Sequence, residues 1–228
     1  MKGPSADFGD FDRIPDPLAR FESARSASPK RPQGRSPTRT TIRARRAAAI
    51  AAALGYEGWL ALAVFHLHAG GRPPLLLWLG LTIPAAACAV AFSAATRSGA
   101  QGLGEPVARI AAFAIAAPIF FGLATAALLP PGKVNDSFWP LTTGCMITGS
   151  ILALGPLACA AVASWRAFAT ASVWRMGAFG VGCGALAATA LSVVCPVTTA
   201  FHVVLGHGTA MLLAGGVGAL WGKWGAEA

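Results

Sequence analysis

The residues best suited to chemistry lie near the carboxyl end of the chain, in the stretch SVVCPVTTAFHVVLGHG from 192 to 208. It contains Cys195, followed at once by Pro196, and two histidines, His202 and His207, within an apolar, glycine-rich run. Thiolates and imidazoles serve as nucleophiles, redox groups and ligands for thiophilic metals. The stretch is therefore a candidate thiol or metal site, and the competing interpretation is that these side chains are buried with structural roles alone.

The remaining cysteines lie far apart, at 88, 145, 159 and 183, and no two cysteines form a C-x-x-C pair. The spacing suggests neither a disulfide framework nor a zinc knuckle. Any thiol chemistry must come from cysteines that the fold brings together. Which cysteines can act as a pair therefore depends on the elements that carry them.

Composition identifies those elements as membrane helices. Of the 228 residues, 55% are hydrophobic and only 12% are charged, whereas about 25% are charged in a soluble domain. Six apolar segments each approach the roughly 20 residues that a helix needs to cross the bilayer. We therefore predict an all-α fold, a polytopic bundle of six transmembrane helices at about 47–66, 74–95, 107–129, 140–163, 176–196 and 201–222.

The distribution of positive charge predicts the orientation of this bundle. Of the 18 Lys and Arg residues, 11 precede residue 47, and such residues favour the cytoplasmic side. With the N-terminus inside, only Arg72 and Lys133 of the later basic residues fall on the outer side. Both termini are therefore predicted to be cytoplasmic.

This topology places four of the candidate residues near the outer surface. Cys145 lies in the second turn of the fourth segment, Cys195 lies at the end of the fifth, where Pro196 stops the helix, and His202 opens the sixth. Cys145 is also near the positive end of its helix dipole, which favours a thiolate. We therefore expect Cys145 to be the first reactive thiol, with Cys195 and His202 within reach.

Two ionisable residues are expected deeper in the membrane. His207 follows His202 by five residues, which is about 140° around an α-helix and roughly 7.5 Å along it, so we expect the two histidines not to share a face. Glu57 lies in the middle of the first segment, and it and His207 could satisfy each other inside the bundle. The three other cysteines, Cys88, Cys159 and Cys183, are expected to pack as small hydrophobes.

Small residues recur at every fourth position in the last two segments. Such stripes let two helix backbones approach closely. We therefore predict that the fifth and sixth helices form a tight hairpin through Gly180, Gly184, Ala188 and Ser192 on one side and Gly206, Ala210, Ala214, Gly218 and Gly222 on the other.

The chain divides at residue 46 into a tail, 1–46, and the six-helix transmembrane domain, 47–228. The tail is predicted to be mostly disordered, with five acids in 7–22 and eight basic residues and no acid in 23–46. The basic half suits anionic lipid better than nucleic acid, because no aromatic residue is interleaved with its arginines. The acidic half carries apolar residues at helical spacing that could order in a partner's groove, namely Phe8, Phe11, Ile14, Leu18 and Phe21.

The motif Cys195-Pro196, then His202, then Gly206-His207, preceded by Cys145 in a six-helix protein, resembles the NrsF-like family. These are bacterial inner-membrane negative regulators of extracytoplasmic-function sigma factors. The resemblance spans all six segments, roughly 47–222, and the long Arg- and Pro-rich tail departs from it. A role of the tail in binding a sigma factor therefore rests on its apolar stripe alone.

The resemblance implies a membrane-bound anti-sigma factor without enzymatic activity or a resident cofactor. Its partners would be the sigma factor and the lipid bilayer, with no direct nucleic-acid binding. The family's sensing cysteines map onto Cys145 and Cys195, with metal or oxidant stress as the stimulus. Cys145 and Cys195 would then either bind a transient thiophilic metal ion, together with His202, or oxidise to a disulfide. Pro196, His202, His207 and Glu57 would support the site.

Other classes of function remain open at this stage. One is a small transporter or permease for a metal ion or small solute, with Glu57, His202 and His207 along its path. The sequence shows neither paired broken helices nor an evident inverted repeat, which weakens this alternative. The others are a membrane redox or haem enzyme, disfavoured by the missing C-x-x-C pair, and a purely structural subunit.

Overall fold

The computed structural model describes residues 39–63, 74–96, 106–132, 137–163 and 172–227. Within those ranges every regular element is a helix, and the prediction of an all-helical protein is confirmed for them. The helices are α1 (Arg39–Ala63), α2 (Pro74–Thr96), α3 (Val107–Leu128), α4 (Phe138–Ala163), α5 (Ser172–Val194), α6 (Ala200–His202), a π-helical turn (Val203–His207) and α7 (Gly208–Glu227).

Among the described helices, five are long and apolar enough to cross a membrane, so the prediction of a multi-pass membrane protein is confirmed. They are α2, α3, α4, α5 and the continuous helix that runs from α6 through the π turn into α7. Large apolar side chains on their outer faces are exposed, among them Leu123, Val162 and Leu212. Water does not stabilise such a surface, so it contacts the lipid bilayer.

The first helix, α1, differs from its predicted bounds. It begins at Arg39, ahead of the expected start at 47, because the arginines that precede the apolar segment continue the same helix. Arginine is a good helix former, and its charge remains solvated where the helix leaves the apolar layer. α1 is not among the five helices that meet the criterion for spanning, and it also carries the buried carboxylate of Glu57.

α5 is the central helix of the described part of the chain. It packs against α2, α3, α4 and α7, and most of its apolar span is buried inside the protein. Its neighbours bury one face each against it and turn the other face to lipid. A movement of α5 therefore changes its contacts with most of the other helices.

The tight pairing of the last two long helices is confirmed, and glycine is its cause. A Cβ atom added at Gly184 would lie 2.5 Å from the carbonyl oxygen of Ala210, and one added at Gly180 or Gly218 would also meet backbone atoms of the facing helix. The backbones of α5 and α7 therefore touch directly. Such close approach gives the dispersion contacts that hold membrane helices together.

Two arginines stabilise the end of the bundle at which α2 ends and α5 begins. Arg175, which is only 2% exposed, donates a hydrogen bond from Nη1 to the carbonyl oxygen of Ala95 at 3.0 Å. Arg46 donates in the same way to Thr96 at 3.1 Å. Both therefore neutralise the carbonyl end of α2, and the two cations lie near each other, since burial and then the charge of Arg175 lower the pKa of Arg46.

Candidate functional site

The candidate site is built by three helix ends. Cys145 projects from the second turn of α4, and Cys195 directly follows the last residue of α5, where Pro196 prevents the helix from continuing. His202 ends the short α6, and His207 ends the π turn. The predicted common level of Cys145, Cys195 and His202 therefore corresponds to a real cluster in the structure.

The four side chains lie within direct contact distance. The thiol of Cys145 donates to Sγ of Cys195 over 3.5 Å, and Sγ of Cys195 lies 3.1 Å from Nε2 of His202. One sulfur or ring nitrogen from each of Cys145, Cys195, His202 and His207 lies within 4.8 Å of all the others. His202 and His207 are 0% and 1% exposed and Cys195 is buried, whereas Cys145 is partly exposed.

His207 joins the cluster because the helix is not α-helical between the two histidines. The expectation that His202 and His207 lie on different faces is wrong, and their rings pack edge to face with centroids 5.7 Å apart. A π-helix hydrogen-bonds i to i+5, so five residues make about one turn and return to the same face. The H-x4-H spacing therefore places both imidazoles on one face of the helix here, as an i, i+4 pair does in a regular α-helix.

Gly206 gives α4 room to approach the π turn. A Cβ atom on Gly206 would lie 3.1 Å from Cβ of Cys145, closer than ordinary van der Waals contact. An alanine at this position would require Cys145 to give way by a few tenths of an ångström. The small-residue stripe of the sixth segment thus serves the site at this end and helix pairing further along.

The turn that carries Cys195 is also tied to the end of α3. The backbone N–H of Ala200 donates to the carbonyl oxygen of Pro130 at 2.9 Å. Gly132 faces the side chain of Thr199 so closely that an added Cβ would lie 2.6 Å from its Cβ and Oγ1 atoms. These contacts restrain the residues between α5 and α6 and thereby the position of the thiol.

Each histidine has a buried hydroxyl behind it. Nδ1 of His202 lies 3.0 Å from Oγ1 of Thr142, and Nδ1 of His207 lies 3.3 Å from Oγ of Ser192. Thr142 is 0% exposed and comes from the same turn of α4 as Cys145. Sequence reasoning did not assign these two residues to the site, although Ser192 belongs to the predicted small-residue stripe.

The contacts of Cys195 favour its ionised form. Cys145 donates its hydrogen bond to Cys195, and the imidazole of His202 contacts Cys195. The hydrogen bond from Cys145 and then the contact with His202 lower the pKa of Cys195, which lies in the turn between two spans. These contacts favour the thiolate at Cys195, whereas the dipole of α4 favours it at Cys145.

Glu57 lies apart from the cluster, and its expected pairing with His207 is wrong. It is 6% exposed, and neither of its carboxylate oxygens has a hydrogen-bond partner among the described residues. Its electrostatic neighbours are Cys88 and Cys183 in the interior of the bundle. Nδ1 of His207 pairs instead with Ser192 on α5, which sequence spacing could not reveal.

The other predicted residues divide into two groups. Cys88 and Cys183 belong to the buried apolar core, as expected, whereas Cys159 is exposed on the outer face of α4. α4 turns that face toward lipid, so Cys159 does not pack in the core. The predicted partner-binding residues Phe8, Phe11, Ile14, Leu18 and Phe21 lie outside the described residues.

Comparisons with protein-family models, with curated proteins and with solved structures find no match to this chain.

Proposed function

We propose that this chain is an anti-sigma factor of the bacterial inner membrane that releases its sigma factor when a pair of thiols reacts. The observation that carries the sensing half is the contact between Cys145 and Cys195, with sulfurs 3.5 Å apart and an imidazole 3.1 Å from the second sulfur. The resemblance to the NrsF-like family supports the anti-sigma half. No catalytic turnover is required, since one reaction of the thiol pair changes the state of the protein.

The thiol chemistry needs little movement. A disulfide bond is about 2.0 Å long, so the two sulfurs must approach by about 1.5 Å. A hydroperoxide accepts two electrons and oxidises the Cys195 thiolate to a sulfenic acid, releasing an alcohol. Cys145 then attacks that sulfur, loses its proton, and the hydroxyl leaves as water. His202 is placed to take the proton that Cys195 gives up and to pass it to the departing alkoxide, which leaves as the alcohol. A thiophilic metal ion that binds both sulfurs would act on the same pair.

α5 supplies a route from the thiols to the other membrane surface. Cys195 follows its last residue and Arg175 lies near its start, so about 30 Å of helix separates the two. Arg175 also holds the end of α2 beside Arg46 of α1. Drawing Cys195 toward α4 would shift α5 and strain these contacts, and the tail that precedes α1 would then change its hold on the sigma factor.

The proposal includes six membrane crossings with both termini in the cytoplasm. α1 supplies the sixth crossing, with its arginines at the cytoplasmic surface. The end of α2 and the start of α5 lie beside the Arg46 end of α1, as an alternating topology requires. Attaching a reporter that is active on only one side of the membrane to each terminus of the full chain tests this arrangement.

Two sets of full-chain variants test the two halves of the function. Cys145→Ser and Cys195→Ser should abolish induction of the sigma-dependent genes by peroxide or by a thiophilic metal, whereas Cys159→Ser should respond normally. Unchanged induction in the first two variants would remove the thiol sensor and leave the anti-sigma role untouched.

The partner is tested by replacing the apolar stripe of the tail. Changing Phe8, Phe11, Ile14, Leu18 and Phe21 to serine in the full chain should release the sigma factor without stress. The wild-type protein, purified from membranes in mild detergent, should retain a sigma factor identified by mass spectrometry. Absence of any sigma factor from the wild-type preparation would contradict the proposed partner.

A further inference from the structure

We propose that Cys145, Cys195, His202 and His207 form a closed four-ligand site for a resident Zn²⁺ ion, and that the π turn creates it by adding His207. The sequence alone predicted no resident cofactor and only a transient metal at three of these residues. The inference deepens the proposed thiol sensor. Only one consequence rests on that proposed function, namely that reaction of the thiols would expel the ion.

The ligand set and its dimensions fit a tetrahedral Zn²⁺ ion. Two sulfurs and two imidazole nitrogens are a common donor set of structural zinc sites. With Zn–S near 2.3 Å and Zn–N near 2.0 Å, tetrahedral angles give edges of about 3.8 Å for S–S, about 3.5 Å for S–N and about 3.3 Å for N–N. The S–S distance of 3.5 Å and the S–N distance of 3.1 Å are close to these values, and all six separations are within 4.8 Å.

The hydrogen bonds behind His207 set its tautomer. The hydroxyl of Ser192 donates its single proton to the carbonyl oxygen of Ala188 at 2.8 Å, so toward His207 it acts as an acceptor. In the tautomer that donates from Nδ1 to Ser192, Nε2 carries the lone pair that a metal ligand requires. This Nε2 atom is buried and has no hydrogen-bond partner among the described residues. A buried lone pair without a donor is costly unless a ligand such as a metal ion accepts it.

His202 has the matching arrangement. Its Nε2 atom faces the sulfur of Cys195 and its Nδ1 atom contacts the hydroxyl of Thr142. Histidine ligands of metals commonly use their second nitrogen to bond a neighbouring group, which fixes ring orientation and tautomer. Close packing alone would not require two histidines, each backed by a hydroxyl, to converge on two sulfurs.

The site has no open position, which separates it from catalytic and transport sites. All four corners of the tetrahedron come from the protein, and three of the four residues are buried. Zinc binding releases the protons of both thiols and links the second turn of α4, the end of α5 and the π turn. The ion would therefore hold these three elements together at one surface of the bundle.

Metal analysis of the purified full chain tests the site. The protein, isolated in detergent under reducing conditions, should hold one zinc per chain. Substitution with Co²⁺ should give the ligand-field absorption of a tetrahedral site and a sulfur-to-cobalt charge-transfer band. Less than one-tenth of a zinc per chain, or octahedral cobalt spectra, would overturn the proposal.

Variants identify the ligands and exclude a loss of fold. His207→Ala should lower zinc affinity by at least 100-fold and change the cobalt spectrum. Ser192→Ala, which keeps a small residue in the α5 stripe, should lower affinity by about 10- to 100-fold. Cys159→Ser, outside the site, should bind as the wild type. Circular dichroism checks that each variant is folded, and unchanged affinity in both His207→Ala and Ser192→Ala would refute the assignment of His207.

The result can be separated from the proposed function. A zinc-loaded protein with no effect on sigma-dependent genes would leave the site standing and reject the anti-sigma role. A zinc-free protein whose cysteine variants still lose induction would reject the site and retain the thiol sensor.

Discussion

A single methyl group placed between α5 and α7 should destabilise the protein and disrupt the site together. In Gly184→Ala the new Cβ would lie 2.5 Å from the carbonyl oxygen of Ala210, about 0.9 Å inside the nearest ordinary contact, and would also press on Met211. The obstacles are backbone atoms, which no rotamer change can move. The two helices must separate, and we expect the free energy of unfolding to fall by about 1–3 kcal/mol.

Gly216→Ala provides the matched control. Gly216 is also a helical glycine, but it faces outward on α7, and an added Cβ would meet nothing within 4 Å. Alanine favours the helix over glycine, so this change should be neutral or should stabilise by up to about 1 kcal/mol. The opposite signs of the two changes separate contact between helices from helix propensity.

Unfolding in mixed detergent micelles, followed by circular dichroism, measures both variants. A second readout is the rate of disulfide formation between Cys145 and Cys195 under a mild oxidant. α5 positions Cys195 and α7 continues from the π turn, so separating them should slow that reaction in Gly184→Ala alone. Equal stabilities of the two variants would refute the argument that the backbones of α5 and α7 are in contact.

Three further changes probe the site and the opposite end of the bundle. Thr142→Val leaves the imidazole behind it unpaired in a buried setting and should cost about 1–3 kcal/mol in unfolding experiments, whereas the exposed neighbour Thr143→Val should cost less than about 0.5 kcal/mol. Deleting Val204 should be tolerated, because it removes the extra residue of the π turn and leaves the histidines on one face as an i, i+4 pair. Deleting Leu213 should instead turn the rest of α7 by about 100° and abolish folding. Size-exclusion chromatography monitors the folding of both variants. Arg175→Met removes the buried donor to the end of α2 and should lower stability by about 1–3 kcal/mol in the same unfolding assay, and no loss would show that this hydrogen bond is dispensable.

Much of the architecture was predictable from local properties of the sequence. Five of the six predicted apolar segments correspond to helices that meet the spanning criterion, because burial in lipid depends on a run of apolar residues about 20 long. The α5–α7 pair was predictable because glycine and alanine at every fourth position form one face of a helix. Cys145, Cys195 and His202 were expected at one level because helix direction alternates from one crossing to the next.

The parts that the sequence did not determine depend on contacts between helices. The contacts of Cys195 with Cys145 and His202 join residues from three separate helix ends, which no local pattern predicts. Glu57 lies near the interior Cys88 and Cys183 and does not pair with His207, since the relative rotation of two helices follows from how all of them pack. Thr142 and Ser192 gained their roles from side chains that are distant in the sequence.

The two histidines show this division most clearly. The H-x4-H spacing is fixed by the sequence, and with α-helical geometry it places His202 and His207 on different faces. π turns are rare, and no residue pattern in this stretch predicts one. Packing of Gly206 against Cys145 and pairing of Ser192 with His207 favour it here. The sequence determined which residues are available for a thiol and imidazole site, and the tertiary structure decided that all four of them meet.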